Sequence, residues 1–194
     1  MSTFVLATAN PHKTEEIRQV LADYDLELLP RPSDVPDVDE TDDTLQGNAL
    51  LKARALCAAT GHAAVADDTG LFVDALDGRP GVYSARFAGE GATFDDNVNK
   101  VLAELDAVKE RDRTARFRTV IAVAFPDGES WWVEGVLEGM VLRERRGEHG
   151  FGYDPIFAPL GEGGRSLAEL SPEEKNAISH RGNALRFFAA RLGE

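Results

Sequence analysis

The sequence contains little cysteine, no long apolar run and no basic region that could cover a nucleic acid. Its 194 residues include a single cysteine, Cys57, so no intramolecular disulfide can form, which suits a reducing compartment. No stretch is long and apolar enough to span a membrane, and the first residues lack the positive region and apolar run of a signal peptide. We therefore expect a cytoplasmic protein with no membrane partner.

The charge of the chain is strongly negative. A formal net charge of −13 leaves no basic face to replace the counterions of a phosphate backbone, which argues against long nucleic acid as a partner. A small polyanion is compatible with this charge, because groups more than about 8 Å away are screened at physiological salt. The chain also lacks a Walker loop, His/Cys pairs at zinc spacing and a Gly-x-Ser-x-Gly nucleophile motif.

The hydrophobic pattern predicts an α/β fold. With 43% hydrophobic residues the chain can bury a substantial core, and we expect one domain over residues 1–194. Short strands over 3–8 and 26–28, a strand over 63–66 and a separate strand over 71–73 alternate with helices. A long antiparallel hairpin over 117–142 follows, and a helix closes the chain. This order predicts a mixed β-sheet flanked by helices.

A strand-to-helix turn is the first candidate site. Asn10 is a good N-cap and Pro11 suits the first helical position, so the backbone N–H groups that follow are available to an anion. Lys13 adds a full positive charge in the first helical turn. Junctions of this kind are common, so the turn alone does not establish a phosphate site. Its candidate substrate-binding residues are Thr8, Ala9, Asn10, Pro11, His12 and Lys13.

A pair of carboxylates after an apolar strand is the second candidate. Asp67 and Asp68 suit a hard cation such as Mg²⁺. Neighbouring strand residues point to opposite faces, so only one of the pair need enter the site, and the sequence does not separate their roles. Glu40, in the acidic loop 37–43, is a second metal ligand if that loop folds over the strand end, and Lys52 could face the same cavity. An Asp-Thr-Gly turn would explain the pair without any metal.

The segments 150–155 and 174–181 combine aromatic rings, a carboxylate and cations. Phe151 or Tyr153 can stack on a base, Asp154 can accept from a ring N–H, and the cations can bind oxyanions. A Gly/Pro turn followed by an ordinary helix start explains the same residues equally well. The candidates here are Phe151, Gly152, Tyr153, Asp154, Lys175, His180 and Arg181.

Taken together, these blocks resemble the Ham1/inosine triphosphate pyrophosphatase family over nearly the whole chain. The resemblance rests on six motifs that occur in the family's order. They are Thr8-x-Asn10-x-x-Lys13-x-x-Glu16, Asn48-Ala-x-x-Lys52-Ala53, Ala66-Asp-Asp-Thr-Gly-Leu71, Gly78-x-Pro80-Gly-Val-Tyr-Ser-Ala-Arg86, Phe151-Gly-Tyr-Asp-Pro155 and Glu174-Lys-Asn-Ala-Ile-Ser-His-Arg181.

The resemblance implies a fold of two lobes around a central cleft, a homodimer, and hydrolysis of ITP, dITP or XTP to the monophosphate and pyrophosphate. The sequence alone would also allow cleavage of the γ-phosphate. Mg²⁺ would be held by Asp68 and Glu40, with Asp68 as the catalytic base and Thr69 close to the reacting phosphate. The triphosphate would bind the 8–13 turn and Lys52, and the base would lie near Phe151, where donors from His180 or Arg181 would favour a 6-carbonyl group.

Gly47 departs from this family, which usually carries Glu-Asn-Ala where this chain has Gly47-Asn48-Ala49. We expect a gap beside the metal, a greater role for Glu40 and a weaker start to the second helix.

Three other classes are considered beside the family enzyme. Gly47 leaves a non-catalytic nucleotide-binding regulator as an alternative. A Maf-like pyrophosphatase acting on modified nucleotides is another, although the motifs at 151–155 and 179–181 argue against it. A structural dimerisation domain is disfavoured by the polar residues clustered at strand ends. For the homodimer we expect an interface near Trp131 and Trp132, because two adjacent strand residues cannot both face one core.

Overall fold

The computed structural model describes residues 2–193, which form seven strands and five α-helices joined by loops and short 3-10 turns. The strands are β1 (Ser2–Leu6), β2 (Leu26–Leu29), β3 (Ala64–Val73), β4 (Pro80–Gly81), β5 (Thr114–Ala124), β6 (Ser130–Val141) and β7 (Phe157–Pro159). The helices are α1 (Pro11–Leu21), α2 (Leu45–Thr60), α3 (Phe94–Glu104), α4 (Pro172–Ile178) and α5 (His180–Leu192). The α/β class is confirmed. No helix within 2–193 is long and apolar enough to cross a membrane.

The sheet is mixed, as expected. Its strands hydrogen-bond in the order β2-β1-β3-β5-β6-β7, and β4 pairs with β3. Strand β1 runs parallel to β2 and to β3, whereas β4 and β7 are antiparallel to their partners. Strands β5 and β6 are adjacent in the sheet and are joined by the segment 125–129.

Strand β3 continues through residues 67–70, so the predicted break into two strands is wrong. The sequence Asp-Thr-Gly was interpreted as a turn, but Gly70 lies within the strand and allows β4 to pair closely with it. A Cβ atom at Gly70 would lie 2.5 Å from the carbonyl oxygen of Gly81 in β4. The close approach of β4 therefore requires glycine at this position.

The chain divides into two compact units. Unit 1 comprises the described residues up to Asp68, the segment Thr119–Gly135 and the described residues from Arg181 onward. Its core is a set of buried apolar residues from β1, α1, β3, the hairpin and α5. They are Phe4, Leu6, Ile17, Leu21, Val65, Ile121, Val123, Ala184, Leu185, Phe188 and Ala189.

Unit 2 comprises Thr69–Arg118 and Val136–His180. Its core gathers residues from the second part of β3, from α3, from the β5 and β6 ends that belong to this unit, and from the segment 153–170. They are Leu71, Val73, Leu76, Phe87, Val98, Val101, Leu105, Ala115, Phe117, Val141, Tyr153, Ile156, Phe157, Leu167 and Leu170. The single domain over 1–194 stays a prediction, as do the two lobes and the cleft.

The helix ends follow their local sequences. The Asn10 side chain accepts the N–H groups of His12 and Lys13 at the start of α1, as predicted. Helix α2 ends at Gly61, whose φ of 70° lies in the left-handed region that favours glycine. The closing helix is interrupted at Ser179, which separates α4 from α5.

The two adjacent tryptophans occupy different environments. Trp131 packs against the unit 1 core, with its ring 5.9 Å from that of Phe188 and with Arg191 stacked over it at 4.6 Å. Trp132 is 41% exposed. The expectation that they do not share one core is confirmed, and Trp132 is the more exposed of the two, since Trp131 is half-buried.

Candidate active site

Asp67 is the buried centre of an ion cluster in unit 1. Its Oδ2 atom lies 2.9 Å from Lys13 Nζ, and Arg181 Nη2 donates to it at 3.2 Å. The other side of the Arg181 guanidinium binds Glu16 on α1. Burial would raise the pKa of Asp67, but the positive charges of Lys13, Arg181 and Lys52 outweigh it and lower that pKa. Asp67 is therefore ionised at neutral pH.

Lys52 links the acidic loop to the end of β3. Its Nζ atom lies 2.9 Å from Glu40 Oε1 and 2.9 Å from Asp68 Oδ1. Burial would lower the pKa of Lys52, but the surrounding carboxylates raise it above its ordinary value, so the ammonium stays charged. The predicted meeting of the 37–43 loop with the Asp68 strand end is thus present, with Lys52 between them.

Asp68 differs from its neighbour in both charge environment and bonding. Burial raises the pKa of Asp68, and Glu40 adds to that effect, while Lys52 opposes it. Its Oδ2 atom is buried and accepts no hydrogen bond from residues 2–193. A carboxylate of raised pKa with one oxygen still able to bind a cation or a water proton suits a general base or a metal ligand.

The turn from β1 into α1 lies open to solvent. Ala9, Pro11 and His12 are exposed, and Thr8 accepts the N–H of Asn10 at 3.1 Å. A cavity of about 500 Å³ opens beside the turn, lined by Thr8, Ala9 and Thr14 together with loop residues that include Arg31. The backbone N–H groups of the first helical turn already have acceptors, because those of His12 and Lys13 donate to the Asn10 side chain and that of Thr14 donates to the Asn10 carbonyl. The turn therefore offers an anion a solvent-facing surface beside Lys13 rather than free N–H groups.

A second group of predicted residues lies in unit 2. Asp154 Oδ2 accepts the Phe151 N–H at 2.8 Å and lies 2.6 Å from Lys175 Nζ. Lys175 also stands over the Phe151 ring, 4.8 Å from its centroid. Gly150 adopts a φ of +75°, and a Cβ atom there would lie 2.2 Å from Asp154 Oδ2. The glycine before Phe151 therefore makes room for the buried carboxylate.

Tyr153 and His180 are held by packing within unit 2. The Tyr153 hydroxyl donates to the carbonyl oxygen of Ser84 at 2.8 Å, and burial raises its pKa. The His180 ring stacks on Phe117 with centroids 4.6 Å apart. Tyr153 thus contributes to the wall of this region, which leaves Phe151 as the aromatic side chain that can face a base. Gly152 is half-buried, with a positive φ of 62°.

The structure groups the predicted residues by unit. Lys13, Glu40, Lys52 and Asp68 come together in unit 1, whereas Thr69 begins the unit 2 part of β3. Phe151, Asp154 and Lys175 come together in unit 2.

Arg181, which was predicted to lie near the base, belongs to unit 1. Its guanidinium is buried in unit 1, where a buried charge needs carboxylate partners and finds Glu16 and Asp67. Its binding of substrate stays a prediction.

Two contributions to the site were not assigned from sequence. Glu16 appeared only as part of a motif, and Asp42 was not singled out. Asn48, which also appeared only as part of a motif, is fully buried, and its side chain bonds the backbone of Asp42. The signal for Asp42 was its position two residues before the N-cap Thr44, where an aspartate side chain can reach the cap N–H.

The carboxylates of Asp68 and Glu40 are the candidate ligands for a magnesium ion. Asp68 and Glu40 already converge on one cation, the Lys52 ammonium, and Asp68 keeps a buried oxygen with no hydrogen-bond donor among residues 2–193. The same residues include no group of three or more His, Cys, Asp or Glu that could hold a metal. Two carboxylate oxygens would leave most of the shell of a Mg²⁺ ion to water and phosphate oxygens, which is the usual arrangement for this ion.

The fold and these side chains define a class of α/β proteins in which half-buried lysines lie beside carboxylates, an arrangement that suits a phosphoanhydride ligand. The model of the Ham1 family matches residues 4–191. The chain belongs to the Ham1 family.

Relatives and solved structures agree over the whole chain. A dITP/XTP pyrophosphatase of Thermoanaerobacter sp. (strain X514) is 51% identical over 184 residues, which cover 93% of this chain and 91% of that protein. The dITP/XTP pyrophosphatase of Bacillus subtilis (strain 168) is 45% identical, covering 96% and 94%. The structure of a HAM1 protein from Coxiella burnetii superposes with a TM-score of 0.90 at 43% identity, covering 100% of this chain and 99% of that one.

Proposed function

We propose that this protein hydrolyses the non-canonical purine nucleotides dITP, ITP and XTP to the monophosphate and pyrophosphate. Relatives over its whole length are named dITP/XTP pyrophosphatases, and membership of the Ham1 family is consistent with that activity. The observation that carries the proposal is Lys52, whose Nζ atom lies 2.9 Å from both Glu40 and Asp68. This arrangement puts a phosphate-binding cation next to a carboxylate that can accept a proton.

In the proposed reaction, a water oxygen forms a bond to the α-phosphorus while the bond from that phosphorus to the bridging oxygen breaks. Pyrophosphate leaves with the bridging oxygen, and the water proton passes to the Asp68 carboxylate. The raised pKa of Asp68 makes it a stronger proton acceptor than an ordinary aspartate. Its neighbour Asp67 is held ionised by three cations, so we assign it to holding those cations rather than to proton transfer.

We propose Mg²⁺ as the cofactor, held by Asp68 and Glu40. When bound, it supplies positive charge to the phosphate oxygens and to the charge that develops on the leaving group. The chain itself contributes the ammonium groups of Lys13 and Lys52, which suit the rest of the triphosphate.

Base selectivity is assigned to residues of unit 2. The Phe151 ring offers a stacking surface, and Lys175 and His180 offer donors to the 6-carbonyl of hypoxanthine or xanthine. Adenine presents a donor at that position, and a buried donor left unpaired costs about 1–3 kcal/mol, or roughly tenfold to a hundredfold in rate. Guanine shares the carbonyl and must be rejected at its 2-amino group.

Replacing Asp68 tests the assignment of the base. The Asp68→Asn variant keeps the side-chain volume but removes the proton acceptor, so we expect kcat for ITP to fall by about 10²–10⁴-fold. Asp43→Asn, an exposed residue of the same acidic loop, is the matched control and should keep wild-type kcat. Circular dichroism of both variants checks the fold, and a fully active Asp68→Asn variant would rule out Asp68 as the base.

We further propose a cytoplasmic homodimer. One buried free cysteine suits a reducing compartment. The exposed ring of Trp132 on β6 is the surface we assign to the dimer interface. Mass measurement in solution tests the assembly.

A further inference from the structure

Helix α2 begins with a good N-cap residue but lacks the acidic side chain that would complete a capping box. Thr44 is the N-cap, and its hydroxyl accepts the N–H of Gly47, the third residue of the helix. In a capping box, a glutamate at this third position returns the bond by accepting the N–H of the N-cap residue. Gly47 has no side chain with which to do so.

Asp42 supplies the missing acceptor. Its Oδ1 atom accepts the backbone N–H of Thr44 at 2.8 Å and the Thr44 hydroxyl at 2.6 Å. These two bonds lower the pKa of the Asp42 carboxyl, so it is ionised at neutral pH. The N-terminus of α2 therefore has the negative charge that the helix dipole favours, although the first turn itself contains no acidic residue.

The Asp42 carboxylate also fills the space of the absent side chain. A Cβ atom built on Gly47 would lie 1.9 Å from Asp42 Cγ and 2.2 Å from each of its carboxylate oxygens. No side chain can occupy position 47 while Asp42 keeps this conformation. The gap expected at Gly47 is thus occupied, and the glycine is what allows Asp42 to be there.

The backbone of Asp42 is held as firmly as its side chain. The fully buried Asn48 accepts the Asp42 N–H with Oδ1 and donates from Nδ2 to the Asp42 carbonyl, each at 3.0 Å. Asp42 is therefore joined to the first turn of α2 through both backbone and side chain. Glu40 is two residues earlier in the loop, and Lys52 is on the same helix, with Nζ and Oε1 2.9 Å apart.

We propose that Asp42 is a positioning residue that replaces the absent position-47 side chain and holds Glu40 against Lys52. Ordering the loop before substrate binds removes a conformational cost from the reaction, because Glu40 need not be fixed at the moment of catalysis. The catalytic part of this inference rests on the proposed function, whereas the capping part does not.

A double-mutant cycle between positions 42 and 47 tests the inference. D42G removes the acceptor, and G47E alone forces a side chain into the Asp42 carboxylate. The double variant D42G/G47E frees that space and restores the reciprocal cap from position 47. D43G is the matched control, because it adds the same backbone freedom one residue away at an exposed aspartate. D42N keeps an oxygen acceptor and is the conservative variant.

The capping role is tested by measuring Tm for thermal unfolding in metal-free and nucleotide-free buffer. We expect D42G and G47E each to lower Tm by about 2–4 °C relative to D43G, and the double variant to recover most of that loss. A double variant no more stable than the two single variants would overturn the replacement. This readout does not depend on any activity, so it decides the capping role even if the wild type releases no pyrophosphate.

Steady-state hydrolysis of ITP at 25 °C, with circular dichroism to check that each variant is folded, measures the positioning role. We expect D42G to lower kcat about tenfold relative to D43G, with D42N and the double variant close to wild type. A loss of stability alone would leave kcat unchanged in a variant that is still folded at the assay temperature. Equal kcat values for D42G and D43G would overturn the positioning role, and an inactive wild type would instead contradict the proposed function.

Discussion

Asp67 and Asp68 are adjacent on one strand, yet their environments move their pKa values in opposite directions. Lys13, Arg181 and Lys52 lower the pKa of Asp67 against the effect of burial, whereas burial prevails at Asp68 and raises its pKa. Two carboxylates whose pKa values are pushed apart are suited to different roles. The sequence could not separate the pair, because alternation along a strand shows only that they face opposite sides.

Replacing Asp67 should destabilise unit 1. Asp67→Asn leaves Lys13 and Arg181 buried beside a neutral side chain, and removing one partner of a buried ion pair costs about 3–5 kcal/mol. Urea unfolding in metal-free buffer measures the change, with the exposed Asp23→Asn as the control. A loss no larger than that of the control would contradict the assigned role of Asp67.

The lowered pKa of Asp67 also predicts a dependence of stability on pH. A carboxyl group whose pKa is lower in the folded state contributes stability above its unfolded pKa of about 3.9, and that contribution is lost as pH falls through the folded value. The free energy of unfolding of the wild type should therefore fall with acid below about pH 4, and less steeply in Asp67→Asn. Parallel curves for the two proteins would contradict this.

At the residue scale, side-chain contacts could be predicted where the partners lie on neighbouring elements with fixed geometry. Glu40, Lys52 and Asp68 were predicted to share a site, and they do. Arg181 was assigned to the base and that role stays a prediction, but its contacts with Glu16 and Asp67 were not predicted. The carboxylates that Arg181 binds are 114 and 165 residues away along the chain, and no local spacing determines which buried carboxylates a guanidinium meets.

The ends of helices could be predicted from the adjacent residues more reliably than the contacts of the site residues could. The caps at Asn10 and Thr44 and the end at Gly61 could be predicted because capping depends on a few adjacent residues. The continuity of β3 could not, because Gly70 reads as a turn residue until the close approach of Gly81 is known. The side chain of Asp42 at the start of α2 was missed for a similar reason, since its role depends on the space left by Gly47.

Arg113 ties together the elements of unit 2. Its buried guanidinium donates to the carbonyl oxygens of Leu105, Val141 and Leu142, at 2.6, 2.9 and 2.8 Å. Arg113→Met fills part of the volume but leaves these carbonyls without their donor, so we expect a loss of about 2–4 kcal/mol in the free energy of unfolding. The exposed Arg111→Met should change it by less than about 0.5 kcal/mol, and equal values would contradict the role of Arg113.

At the scale of the whole molecule, the sequence predicted the α/β class and the mixed sheet from the order of its elements. It did not predict that the buried residues form two separate cores, one in each unit. Periodicity shows which residues of an element are buried, but it does not show which other elements cover them. The net charge of −13 is likewise a property of the whole chain, and the half-buried Lys13 and Lys52 show that it does not describe the site.

The two tryptophans give a test of the proposed assembly. Trp132→Ser should shift the mass in solution from dimer to monomer with little change in Tm, because the ring is exposed in the protomer. Trp131→Ser should instead lower Tm, because it removes an aromatic ring that packs on Phe188. Analytical ultracentrifugation and thermal unfolding separate the two effects. An unchanged mass for Trp132→Ser would contradict the proposed interface.

The measurement that tests the central claim most directly is hydrolysis of ITP, XTP, ATP and GTP, with and without Mg²⁺, reporting pyrophosphate and orthophosphate separately. We predict Mg²⁺-dependent release of pyrophosphate from ITP and XTP, little product from ATP and GTP, and loss of this activity in Asp68→Asn. Orthophosphate as the first product would place the cleavage at the γ-phosphate. Tight binding of ITP without any product would contradict the enzyme and favour a nucleotide-binding regulator.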